Sequence, residues 1–130
     1  MTKEIRDGRK QRGLDRDAKW DIWHHGCEEG ESPAEVEARL DRLIENIKEI
    51  QGPFLKASGG TQTEGSKDVV IIAHGHILRA FAKRWVQYEL KMRLPMMLEP
   101  GAVGVLSYEH HSVEEPALLL GINMGGDMEE

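Results

Sequence analysis

The residues best suited to chemistry fall in one stretch, VVIIAHGHILR, residues 69–79. Its first five residues are apolar, the pattern of a strand buried on both faces of a parallel sheet. His74, Gly75 and His76 follow, and then Ile77, Leu78, Phe81, Trp85 and Val86 recur at helical spacing. Ligands of open α/β sheets bind between a strand's carboxyl end and a helix N-terminus, where first-turn N–H groups lack acceptors and the helix dipole is positive. Gly75 lets the backbone approach an oxyanion closely, while His74 and Arg79 bring donors and positive charge to it. Phosphate fits such a place. A lone histidine at a strand end is by default a capped or solvated turn residue, so its neighbours decide its meaning.

Two further histidine pairs, His24-His25 and His110-His111, stand in turn-like contexts. Three histidine-bearing turns could converge on zinc, although no carboxylate stands at a recognisable ligand spacing and His-x-His recurs by chance.

The elements that must position these residues are legible in part. Ser32, Pro33 and Glu35 form an N-cap, a first helical residue and the partner of a capping box. Val36, Leu40, Leu43, Ile44, Ile47 and Ile50 give the helix 33–50 its core face, and Gly52-Pro53 is expected to stop it. A Gly, Ser, Thr and Gln connector, 58–66, leads to the strand 69–73. The helix 77–89 comes next, then an irregular loop at 91–100. Strands at 102–108 and 117–122 are expected to form a hairpin through 109–116. Trp20 and Trp23 read as aromatic plugs in a loop. Residues 1–19 and 125–130 are charged or polar and are expected to be weakly ordered.

At 130 residues the chain fits one domain. Seventeen Lys and Arg against 23 Asp and Glu give a net charge of −6, which argues against nucleic acid as a partner. No run approaches the length of a membrane span. The single cysteine, Cys27, cannot form an internal disulfide, so a cytoplasmic setting is expected.

The stretch 69–79 resembles the second catalytic-histidine motif of the histidine phosphatase (phosphoglycerate-mutase-like) superfamily, a buried strand ending in His-Gly. WDIWHHGCEEGES, residues 20–32, and EPGAVGVLSYEHHSVEEPALLL, residues 99–120, are similar to stretches of its fungal sedoheptulose-bisphosphatase-like branch. Three such stretches in order, with the helices between them, extend the resemblance over most of residues 3–122. It implies cleavage of sugar phosphate monoesters through a phosphohistidine, with no metal or other cofactor. It assigns His74 as the second active-site histidine at the transferring phosphoryl group, and Arg79, His110 and Gly75 to substrate binding, with His111 the alternative to His110. The implied fold is α/β, a truncated phosphoglycerate-mutase-like three-layer α/β/α sandwich lacking its first strand.

No Arg-His-Gly triplet occurs in the chain, and the family takes its nucleophile from that triplet. The family stretch bearing the general-acid glutamate has no counterpart either, and His24-His25-Gly26 follows no buried strand. The expectation is therefore an incomplete domain, inactive alone, whose partner is a small-molecule sugar phosphate and whose uncovered sheet edge invites self-association. The alternative is a module that binds phosphate without hydrolysing it.

Overall fold

The structure is a computed structural model describing residues 7, 19–58 and 67–121. The expectations for residues 1–6, 8–18, 59–66 and 122–130 lie outside these.

Where a loop was expected after Trp20, there is a single helical turn, α1, Ile22–His25. Its cause is local: the Asp21 carboxylate accepts the Trp23 N–H at 2.9 Å and caps the turn. Gly26 ends it at φ 71°, where a Cβ would stand 2.6 Å from the Glu31 carbonyl oxygen, so only glycine fits.

Helix α2, Pro33–Ser58, opens on the expected capping box. The Ser32 N–H donates to Glu35 Oε2 at 2.7 Å, and the Glu35 N–H donates to Ser32 Oγ at 3.2 Å. The helix does not stop at Gly52-Pro53. Gly52 is buried, with a Val113 methyl 3.5 Å from where its Cβ would be. Gln51 is held from both sides, its amide donating to the Lys67 carbonyl at 3.0 Å and its oxygen accepting from the Tyr108 hydroxyl at 2.6 Å. These contacts carry the helix past a proline that local propensity reads as a stop. Burial pushes the Tyr108 phenol up to about 12, which keeps it a donor.

Helix α3, Gly75–Trp85, begins two residues before the expected start and ends four before the expected end. The Tyr88 N–H donates to the Lys83 carbonyl at 2.8 Å and the Gln87 N–H to that of Arg84 at 3.0 Å. This paired closure requires a left-handed residue, here Gln87 at φ 63°.

The core is the seam between the two long helices: Leu40, Ile44 and Ile47 from α2 against Ala80, Phe81 and Trp85 from α3, with Leu90 beyond. Leu43 and Ile50, expected on the core face, are 40% and 54% exposed, because the stripe on α2 is wider than one helix covers. Two charge-assisted contacts flank the seam. Arg84 grips Asp41 through Nε and Nη2, both at 2.8 Å, and Glu37 accepts the Leu90 N–H at 3.0 Å.

The sheet is a hairpin of β1, Leu106–Tyr108, and β2, Pro116–Leu118, antiparallel as expected but shorter, with Ser107 opposite Ala117. Residues 69–73 join no sheet. Ile71 packs against the core, while Val70 and Ile72 are 82% and 93% exposed. Their composition suits a two-sided burial, but a strand completes its ladder only against another strand, and none of the described residues stands beside it.

Gln87 is exposed and holds a left-handed conformation that favours glycine. Gln87→Gly is expected to raise unfolding free energy by about 0.5–1 kcal/mol in urea titrations, with no change in the slope. A loss of stability would show that the Gln87 side chain contributes more than its backbone strain costs.

Candidate functional site

His74 is the N-cap of α3, in extended conformation, exposed, and makes no side-chain capping bond. The first backbone bond of the helix runs from the Leu78 N–H to the His74 carbonyl, so the N–H groups of Gly75, His76 and Ile77 have no acceptor within it. A Cβ on Gly75 would make only ordinary contacts, 3.6 Å from the Leu98 carbonyl oxygen and 3.8 Å from Arg79 Nη2. Arg79 turns back along the helix, its Nε donating to the Gly75 carbonyl at 3.1 Å. His74, Gly75 and Arg79 thus gather at one helix end.

His110 lies elsewhere. It occupies a 3₁₀ turn, Glu109–His111, in left-handed conformation, with Nδ1 3.2 Å from Glu115 Oε1. Tyr108, two residues earlier, packs its ring 5.1 Å from that of Trp85, the last residue of α3. His74 precedes the first, and a helix of this length rises about 15 Å between its ends. Among the described residues no hydrogen bond, ion pair or ring contact links His110 or His111 to His74 or Arg79. The three histidine pairs form no common metal cluster there either. The group with ligand-like spacing is Glu109, His110 and Glu115, all exposed.

Beside Arg79 the structure shows a cleft of about 530 Å³ that sequence reasoning did not find. Asp21, Trp23 and His24 form one wall, Arg79 and Lys83 of α3 the floor, and residues 91–96 the rim, bringing Lys91 and Arg93. Lys83 could have been noticed: it follows Arg79 by four residues and so shares its helix face. Its ammonium is buried, 3.5 Å from the centroid of the Trp23 ring, and donates to the Leu90 carbonyl at 2.9 Å. Burial pushes that ammonium down, Asp21 opposes the shift and Arg79 adds to it.

His76 packs its ring 5.9 Å from Trp23, and its buried Nδ1 has no hydrogen-bond partner. Burial lowers its pKa and the neighbouring Arg79 charge lowers it further. The arrangement gathers positive charge: free helix N–H groups with the half-buried Arg79 guanidinium at the start of α3, and beside Arg79 a cleft with four cationic side chains against the single carboxylate of Asp21.

The profile of the histidine phosphatase superfamily (branch 1) matches residues 2–118, and the chain belongs to that family, whose fold is α/β. It is 34% identical over 153 aligned positions to a sedoheptulose 1,7-bisphosphatase of Saccharomyces cerevisiae, covering 92% of this chain and 54% of that protein. An acid phosphatase of Mycobacterium tuberculosis is 32% identical over 91 positions, 70% of this chain and 38% of the relative. The chain therefore spans about half the length of the first relative and less of the second. No helix among the described residues is long and apolar enough to cross a membrane.

The shift at His76 has a pH consequence. Its folded pKa lies below the ordinary value of 6.5, so the unfolded chain binds the proton more readily. The neutral ring contributes stability above 6.5 that is lost as pH falls through the folded pKa. His76→Phe, which keeps a ring against Trp23, should flatten the loss of stability between neutral and mildly acidic pH relative to wild type. Parallel unfolding curves for the two proteins across that range would refute this role.

Proposed function

We propose that the chain forms the second-histidine part of a phosphatase acting on sugar phosphate monoesters. The observation carrying this reading is the anion receptor at the start of α3, where Arg79 folds against Gly75 beside the exposed His74. In this reading His74 contacts the transferring phosphoryl group and stabilises charge on its equatorial oxygens. The free N–H groups after it and the Arg79 fork hold phosphate oxygens, with Gly75 leaving room for them. His110 is assigned a substrate contact from the family pattern and not from a contact in this structure. Sedoheptulose 1,7-bisphosphate, named in the yeast relative, is the candidate substrate. A free cysteine and no need of a disulfide accord with a cytoplasmic setting.

A phosphohistidine route needs a nucleophilic imidazole in line with the leaving oxygen and an acid to protonate that oxygen. His74 cannot both attack and stabilise, and the chain contains no Arg-His-Gly triplet. The 130-residue chain alone therefore binds the substrate class without turning it over, which is also the behaviour of a non-catalytic phosphate-binding module. Mixing the chain with a separate segment that carries the family's Arg-His-Gly motif separates the two readings: a phosphohistidine detected by mass spectrometry after incubation with the bisphosphate is expected in the first and not in the second.

Titration calorimetry with inorganic phosphate and with sedoheptulose 1,7-bisphosphate tests the site. Arg79→Ala should weaken both by about tenfold or more, since a charge-assisted hydrogen bond contributes about 1.5–3 kcal/mol. Phosphate release should not exceed that of a His74→Ala control. Unchanged affinity in Arg79→Ala would remove the receptor, and release well above the control would mean another histidine serves as nucleophile.

A further inference from the structure

We propose that Lys83 is a positioning residue: its buried ammonium, set in the cleft with Asp21, keeps the Arg79 guanidinium turned to the start of α3, where the site proposed above, on which this inference rests, needs it. Arg79 and Lys83 are four residues apart and share one helix face. Helical side chains lean toward the N-terminus, so Lys83 lies over the turn that carries Arg79. Lys83 is 4% exposed, its Nζ donating to the Leu90 carbonyl at 2.9 Å and standing 3.5 Å from the centroid of the Trp23 ring. These two contacts pin a full positive charge without neutralising it.

Arg79 is the group with a choice of partner. The Asp21 carboxylate lines the same cleft, and a carboxylate is the side chain that a guanidinium binds most strongly. Among the described residues Arg79 nevertheless forms no ion pair, and its Nε donates at 3.1 Å to the Gly75 carbonyl, a neutral acceptor. Lys83 accounts for this in two ways. Its charge repels a second cation that would swing into the cleft, and it offsets the carboxylate that would draw Arg79 there. The ammonium stands in the field of both groups: burial lowers its proton affinity most, Asp21 restores part of it, and Arg79 lowers it further. Asp21 meanwhile gives its two oxygens to the Trp23 N–H and to His24.

Heteronuclear NMR of the arginine Nε–H groups in the full chain reads the orientation of Arg79 without phosphate, its signal being assigned by Arg79→Lys. In wild type that signal is expected to show nuclear Overhauser contacts to the Gly75 turn. Lys83→Met, which keeps an unbranched chain beside Trp23, should move those contacts to Asp21 and Trp23, with amide exchange in α2 unchanged. Lys83→Gln, which retains a donor for the Leu90 carbonyl, is the second neutral variant and should do the same. Adding Asp21→Asn to either, which keeps an oxygen to cap α1, should return Arg79 to the Gly75 turn. In phosphate calorimetry Lys83→Met should weaken binding about tenfold, as Arg79→Ala does, and the double variant should fall little further because one residue acts through the other. Contacts to the Gly75 turn kept in both neutral variants, no return with Asp21→Asn, or additive losses in the double variant would overturn the proposal. A wild-type chain that binds no phosphate would remove the reading of the site, whereas the NMR contacts, recorded without phosphate, decide the role of Lys83 by themselves.

Discussion

The seam between α2 and α3 is the contact on which the rest of the molecule depends, and Trp85 is its hub. The Trp85 ring stacks on Phe81, with centroids 6.0 Å apart, and meets Tyr108 on its other side. Its indole N–H donates to the Ser107 carbonyl at 3.1 Å. One residue therefore ties the helix that carries His74 and Arg79 to the hairpin. The bidentate Arg84–Asp41 pair fixes the rotation of α3 about its axis, and that rotation decides that Arg79 and Lys83 face α1 and the 91–96 loop. Among the described residues no side chain is completely sequestered from solvent. A core this shallow sits on one side of the extended segments, and their other side is left with Val70, Ile72, Val103 and Leu120 bare.

Local chemistry was the readable part of the fold. The Ser32 and Glu35 box, the helical spacing on either side of the seam, and the alternation that sets β1 against β2 are decided within a few residues of themselves, and sequence reports them faithfully. Elements settled by partners were not readable. Pro53 sits inside a helix because Gly52 and Gln51 are held by Val113, Lys67 and Tyr108 from far along the chain. The run 69–73 has the composition of a central strand, but composition states what a segment would accept as neighbours and not whether they are present. The end of α3 was misplaced because Gln87 adopts a conformation that sequence rules expect of glycine.

The candidate site divides along the same line. His74, Gly75 and Arg79 share one helix start, so their proximity is a matter of spacing and could be read directly. The cleft beside them could not, since it joins α1, α3 and the 91–96 loop and exists only once the seam has formed. His110 depends on the hairpin turn for its position, and its carboxylate neighbour Glu115 is five residues away across that turn.

The electrostatics of the cleft are those of crowded positive charge. Arg79 depresses the proton affinity of both His76 and Lys83, behind the larger effect of burial, so the cations of this region repel one another through a medium less polarisable than water. The structure holds them with substitutes for a counter-ion: the face of Trp23 and the Leu90 carbonyl for Lys83, the Gly75 carbonyl for Arg79. Asp21 offers one carboxylate, and its pKa is lowered despite burial, which opposes the shift, by hydrogen bonds from the Trp23 N–H and the His24 side chain. Those two bonds already engage its oxygens. The anion proposed above would bring full negative charge to groups that have only partial ones. The excess of positive charge on which the proposed anion binding rests thus follows from how these side chains are held together, before any step of catalysis is considered.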